Sequence, residues 1–227
     1  MTTQTDLPIR PAATVVALDR TGSTPRVLMG QRGAKAAFMP NRFVFPGGRV
    51  DPEDAHAPLA RPLRDDVSKA LSVHSTDPSP TALAAAAVRE LWEETGLDLC
   101  DDHAPGWTAL GARDVAPDAS HLRFFFRAIT PPGRPRRFDA RFFVVPADVL
   151  SGDVVGLSEA GDELSHLQWL TLGEARELPL PFITRVVLSE VEAMLAAPKA
   201  SRPIPFFDHH DGRSTMRSLG HCAPLTS

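Results

Sequence analysis

Apolar and β-branched residues gather into short runs separated by turn formers, and their spacing predicts most of the elements. Ala12 to Leu18 (AATVVAL) and Arg26 to Arg32 (RVLMGQR) flank the turn-rich stretch Asp19 to Pro25 and read as two adjacent strands. Phe43 to Phe45 is a further short strand, stopped by Pro46-Gly47-Gly48. From Ala55 to Pro80 the period is lost and breakers accumulate, which predicts a long loop with one helical turn around Leu63 to Leu71. Ser79-Pro80 then gives an N-cap followed by proline at the first helical position, and Gly96 lies just past the far end, so a helix is expected over about 80–95. Trp107 to Val115, Arg123 to Ile129, Phe138 to Val145 and Leu167 to Leu170 read as strands. Pro181 to Ala197 carries a helical stripe, and Pro198 to Ser227 has no period and is expected to be an arm on the domain or a loose tail.

This order predicts an α+β fold, an α/β/α sandwich with a mixed sheet between helices and more antiparallel than parallel pairs. The expected domain covers 11–197, with 55–79 inserted within it and 198–227 as the arm. No internal repeat or second domain boundary is evident. Twenty-four basic and 28 acidic residues leave a formal charge of −4, so no basic field recruits nucleic acid. No apolar run reaches the roughly 18 residues of a membrane span, and the first ten residues lack a signal-peptide pattern, so cytoplasmic residence is expected. Cys100 and Cys222 have no partners at metal-ligand spacing and read as thiols in a reducing compartment.

Candidate chemistry lies in the segment Arg89-Glu90-Leu91-Trp92-Glu93-Glu94-Thr95-Gly96-Leu97. Its glutamates stand at i, i+3 and i+4 and share one helix face, while Ala84, Val88, Leu91, Trp92 and Thr95 take the other. That apolar face is expected to pack on the sheet and hold the acids outward. Acids in a last helical turn oppose the macrodipole and one another, so an oxygen-preferring divalent cation, Mg²⁺ or Mn²⁺, would relieve them. A solvated acidic face is the plainer alternative. Upstream, Phe45-Pro46-Gly47-Gly48 leads into Asp51 and Asp54, and its glycines let backbone approach phosphate or metal closely.

These two stretches together resemble the box of the Nudix hydrolase family: Gly, five residues, Glu, seven residues, then Arg-Glu-apolar-any-Glu-Glu-any-Gly-apolar. Gly48 and Asp54 match the first half with Asp in place of Glu, and residues 89–97 match every position of the second. The second half starts at Arg89 instead of position 62, which leaves 27 extra residues inside the box. Such an interruption is similar to the coenzyme A and acyl-coenzyme A diphosphatase branch, as are Phe38-Met39-Pro40 and residues 137–143.

The resemblance implies a metal-dependent hydrolase of a nucleoside diphosphate linked to another moiety, with a small nucleotide substrate and neither nucleic acid nor membrane as partner. Coenzyme A or an acyl-coenzyme A is the leading substrate; ADP-ribose, a dinucleotide or another nucleotide, and a non-catalytic nucleotide sensor, are the alternatives. It implies Glu93 and Glu94 as metal ligands, Glu90 as a third ligand or the base, a carbonyl at Gly47 or Gly48 in the shell, and Arg89 as the residue that holds a box acid. Asp54, one methylene short, would ligate or act through water, and Glu163 is a candidate assisting acid from a late loop. Arg32 and Arg42 are candidates for substrate phosphates, since guanidinium forks match phosphate oxygens. Arg134, Arg136, Arg137 and Arg141 form a basic patch, either an exposed hairpin or a contact for a nucleotide 3′-phosphate. His209-His210 reads as an exposed pair, and Phe124 to Phe126 as packing that alternates between faces. The 55–79 insert is expected near the mouth of the site, where it could read the substrate's far arm.

Overall fold

The structure is a computed structural model that describes residues 7–34, 36, 38–75, 77–101, 106–110, 115–153, 164–210, 213–222 and 224–225. Strands β1 (Ile9–Asp19), β2 (Arg26–Arg32) and β3 (Phe43–Val44) form where the apolar runs predict them, and β4 (Gly47–Arg49) follows. Helices α1 (Asp65–Leu71) and α2 (Pro80–Thr95) come next, then the short β5 (Cys100–Asp101) and β6 (Ala116–Pro117). Strands β7 (Arg123–Ile129), β8 (Arg137–Pro146) and β9 (Leu164–Thr171) lead to α3 (Leu172–Glu177) and α4 (Phe182–Ala196). Strands β10 (Arg202–His210) and β11 (Arg213–Cys222) complete the fold.

Nine strands make one mixed sheet in the order β11-β10-β7-β8-β1-β2-β3, with β4 also on β1 and β9 also on β2. The pairs β1–β8 and β10–β7 are parallel and the rest of the sheet is antiparallel. Central β1 buries Ala13, Val15, Val16, Ala17 and Leu18, consistent with a strand covered on both faces. The α+β class and the mixed sheet with helices are as the sequence predicts.

Four local readings are corrected. Gly47-Gly48 does not merely stop a strand: with Arg49 it pairs with Ala12, Ala13 and Thr14, because glycine lets the backbone lie flat against β1. At Gly47, φ is 152° and a Cβ would strike the Ala13 carbonyl and Thr14. The described part of the expected 107–115 strand instead holds a 3-10 turn at Thr108–Leu110, since Trp107 N–H donates to the Val115 carbonyl (2.9 Å) and folds the segment back. Phe124, Phe125 and Phe126 are all buried and do not alternate between faces, because the register slips between Phe124 and Phe126. The aperiodic C-terminal stretch contains the β10–β11 hairpin, which extends the sheet from β7.

The sheet's two faces differ in chemistry. Paired strand residues share a face, so Ala128, Ala140 and Phe207 lie on one side and Arg127, Asp139, Arg141 and Phe206 on the other. On the second face Arg127 grips Asp139 with Nε and Nη2 (2.8 and 2.7 Å) and stacks over Phe206 (4.5 Å). Arg141 meets the same carboxylate at 2.9 Å. Arg127 also donates to the Val73 carbonyl (3.2 Å) and Arg141 to Ser75 Oγ (2.9 Å), so the turn after α1 is fastened to this face. Arg141 is 1% exposed; burial, with the neighbouring Arg127 adding to it, presses its pKa down to about 10. The basic patch therefore divides: Arg134 and Arg136 are exposed, whereas Arg137 and Arg141 point inward. Asp139 explains the burial of Arg141, because a carboxylate on the same face gives a buried guanidinium its counter-charge, while Arg137 Nε donates to the Thr130 carbonyl (3.1 Å).

Candidate active site

Helix α2 forms where Ser79 Oγ accepts the Ala82 N–H (3.2 Å), with Pro80 in its first turn, and ends at Gly96 with φ 74°. Its apolar side chains pack on the core, and the helix lies against β1, β4 and the 3-10 turn Pro52–His56. The C-terminal half of α2 thereby meets the Gly-Gly segment, and residues far apart in sequence come together.

Arg89 is the hub. Its Nε and Nη2 donate to Asp54 Oδ1 and Oδ2 (2.9 and 3.0 Å), and its Nη1 donates to Glu90 Oε1 and Glu93 Oε2, each at 2.9 Å. Nη2 also reaches the Arg49 carbonyl (3.0 Å). The Asp54 side chain is fully buried and takes the Asp51 N–H on Oδ2 (2.7 Å). Burial opposes charge on Arg89, but the Asp54 hydrogen bonds and the charges of Glu90, Asp54 and Glu93 outweigh it and raise its pKa above the ordinary guanidinium value. Asp54 thus supports Arg89, and the shorter side chain suits that role because the guanidinium comes to it.

The glycines touch the other acids. Gly47 N–H donates to Glu94 Oε2 (2.7 Å), and the Glu90 carboxylate lies so close to Gly48 that a Cβ there would overlap it. Glu90 and Glu94 are buried and the Glu93 side chain is 42% exposed. The expectation of three acids held outward is corrected for two of them, because β4 closes over Glu90 and Glu94. Among the described residues, no three His, Cys, Asp or Glu side chains are grouped to hold a metal ion; Arg89 Nη1 stands between Glu90 and Glu93 instead.

Gly47 and Gly48 also border a cleft of about 1040 Å³. Arg32 and Arg42 line it, along with Phe38, Arg134, Phe207 and His209. None of the described residues of 55–79 lines it. At the far end of the insert, Val73 and Ser75 are tied instead to Arg127 and Arg141 on the other face of the sheet. His209 faces this cleft rather than bulk solvent, hydrogen-bonds Ser214 Oγ (2.9 Å) and stacks edge-on to Phe207. Burial lowers its pKa below the usual imidazole value. The side chain of His210 and all of Glu163 lie outside the described residues.

Sequence reasoning missed the Gly47–Glu94 bond and the cleft-facing role of β10. The first had a signal in the Gly-Gly pair; the second had none in periodicity, since only one face of an edge hairpin is used.

Comparison with known proteins places this geometry. The family model described as NUDIX domain matches residues 76–191. A Caenorhabditis elegans protein carried under the name nudix hydrolase 7 is 32% identical over 179 residues, which is 71% of this chain and 51% of that protein. The chain therefore spans about half the length of this curated relative. The crystal structure of a NUDIX hydrolase from Alicyclobacillus acidocaldarius is 31% identical, covers 80% of this chain and 90% of its own, and has a TM-score of 0.60.

Proposed function

Because the chain belongs to the Nudix hydrolase family, we propose that it hydrolyses a diphosphate joining a nucleoside to another moiety, with coenzyme A or an acyl-coenzyme A as leading substrate. The observation that carries this reading is the buried Arg89–Asp54 pair, which draws together two half-boxes separated by an insert. Cleavage of the diphosphate would give adenosine 3′,5′-bisphosphate and a phosphopantetheine product. The catalytic domain is read as 11–197 with the insert 55–79, and 198–227 as an arm upon it.

The donor chemistry suits a hard divalent cation, since the candidate ligands are all oxygens and Gly48 lacks the Cβ that would fill the space against Glu90. Gathering the acids on a cation would require Arg89 Nη1 to leave its place between Glu90 and Glu93. Glu90, Glu93 and Glu94, with a Gly48 carbonyl, would hold Mg²⁺ or Mn²⁺, which supplies charge neutralisation on phosphoryl oxygens and a more acidic water. Gly47 N–H fixes the Glu94 carboxylate through its 2.7 Å bond. Arg89 holds Glu90 and Glu93, and Asp54 holds Arg89, so the acids are positioned by a chain of charge-assisted bonds. Arg32 and Arg42 are read as binding substrate phosphates from the cleft wall, Glu90 as ligand or proton acceptor, and Glu163 as an assisting acid. Asp54 takes the positioning role, not that of a direct ligand.

One observation favours a non-catalytic nucleotide sensor as the second reading: Arg89 Nη1 already bridges Glu90 and Glu93 at 2.9 Å each. Product analysis with Mg²⁺ or Mn²⁺ and coenzyme A, an acyl-coenzyme A, ADP-ribose and a dinucleotide separates the readings. Adenosine 3′,5′-bisphosphate from the coenzyme A samples supports the first. Turnover of another substrate alone removes the coenzyme A assignment, and nucleotide binding without turnover supports the sensor.

A further inference from the structure

Strand β11 ends the nine-stranded sheet, and among the described residues no strand pairs with its outer edge. It runs along β10 without a slip from Arg213, opposite His210, to Ser218, opposite Pro205. Beyond that point the register shifts between Pro203 and Pro205, and Gly220 takes a φ of 117°. The regular edge is therefore Arg213–Ser218, and it contains neither the proline nor the bulge that commonly guards an open edge.

The ladder shows which main-chain groups this edge leaves open. Pro205 has no N–H, so the Pro205–Ser218 pair suits the class in which opposed residues do not bond each other. Alternation puts Phe207–Met216 and His209–Ser214 in the same class. The His209 N–H agrees, since it donates to the Asp208 carboxylate (2.7 Å) instead of to β11. Ser214, Met216 and Ser218 thus turn their N–H and C=O groups outward, as a template for one more strand.

Side chains along the edge select that strand. Two copies of β11 related by a two-fold axis normal to the sheet run antiparallel, and the centres that use most of the regular segment are Thr215 and Met216. Centring on Thr215 sets Arg213 against Arg217 of the second copy, in both halves of the pair. Centring on Met216 avoids this: Met216 meets Met216, Ser214 meets Ser218 and Thr215 meets Arg217. The same register answers what the single chain leaves open. Met216 is 53% exposed. Thr215 Oγ1 is shielded from solvent yet has no hydrogen-bond partner among the described residues. Arg217 brings it a donor whose charge Asp208 already balances at 3.0 Å.

We propose that the chain forms a two-fold dimer by antiparallel pairing of β11 with β11 of a second copy, centred on Met216, so that two nine-stranded sheets become continuous. Ser214 lines the cleft, and Ser218 of the second copy stands opposite it on the same face, so each copy extends the wall of the other's cleft. The proposal does not depend on the reaction that the cleft serves.

Sedimentation velocity of the full chain, from low to high micromolar concentration, tests the association, and single cysteines test its register. The wild type is expected to dimerise. Met216→Arg sets two guanidinium groups face to face and is expected to weaken the dimer at least about tenfold, with an unchanged thermal melt because the side chain is exposed. Met216→Cys is expected to form a disulfide-linked dimer under mild oxidation, since opposed residues that bond each other lie about 5.5 Å apart between Cα atoms, within disulfide reach. Ser214→Cys and Ser218→Cys are each expected to stay unlinked alone and to link when mixed, against the background of the wild type with Cys100 and Cys222. A wild type that stays monomeric at every concentration overturns the proposal. So does a dimer that Met216→Arg leaves intact, or cross-linking of Ser214→Cys alone as efficient as that of Met216→Cys.

Discussion

Arg89 Nε and Nη2 meet both oxygens of Asp54 at 2.9 and 3.0 Å, although 35 positions separate the two residues. Neither side chain exceeds 7% exposure. A bidentate pair so deeply buried is worth most through what its loss leaves behind: a guanidinium out of water with only part of its counter-charge. Asp54→Ala is expected to destabilise the protein by about 3 kcal/mol, read by urea denaturation, and to lower turnover because Glu90 and Glu93 lose their positioned partner. A variant with unchanged stability would show that the pair is not the tie between the half-boxes.

Gly47 and Gly48 should respond differently to alanine. A Cβ on Gly48 meets the carboxylate end of Glu90, which can shift, whereas a Cβ on Gly47 meets the backbone of Ala13 and Thr14, which cannot. Gly48→Ala is expected to fold with near-normal stability and lose at least about tenfold in turnover. Gly47→Ala is expected to cost about 1 to 3 kcal/mol in stability as well. Thermal melts and steady-state rates on both variants check the contrast.

Asp139 balances two buried arginines, Arg127 and Arg141, that also hold Val73 and Ser75. Asp139→Ala leaves both cations without that carboxylate, so a loss of about 3 kcal/mol or more is expected. Faster proteolysis within the insert ahead of α2 should accompany it. Resistance equal to the wild type would contradict the fastening role.

Acid stability should carry a signature of Asp19. Hydrogen bonds from the Thr21 hydroxyl and N–H, and then from Arg26, hold its pKa at about 2 against the usual 3.8. A carboxyl with a pKa lowered by folding contributes stability that is present above its unfolded pKa and lost as pH falls through the folded one. Asp19→Asn should therefore flatten the stability profile between pH 3.8 and about 2 relative to the wild type. Parallel profiles would contradict this.

How much of this was legible in the sequence depended on whether a feature leaves a local signal. Ser79-Pro80 and Gly96 bracket α2 because capping is read within a few residues. Thr171 and Glu174 form a capping box that starts α3, a local signal in the sequence, but the six-residue helix buries only Ala175 fully and so leaves no apolar period to read. The residue types of the candidate site were legible and their orientation was not: Glu90 and Glu94 are buried only because β4, distant in sequence, folds over them. Arg141 read as a surface charge because its burial depends on Asp139 and Arg127 sharing a sheet face. The open edge of β11 was illegible for the same reason, since which strand ends the sheet is decided by the pairing of distant segments.

The most direct test of the central claim, that the joined half-boxes form a diphosphate-cleaving centre, is the Mg²⁺-dependent release of adenosine 3′,5′-bisphosphate from coenzyme A by the wild type and by Glu94→Gln. The substitution keeps the shape of a side chain that receives Gly47 N–H and removes its charge. The account predicts release by the wild type and a fall of about a hundredfold or more in a variant that still folds. Release by the variant within about threefold of the wild type would contradict it.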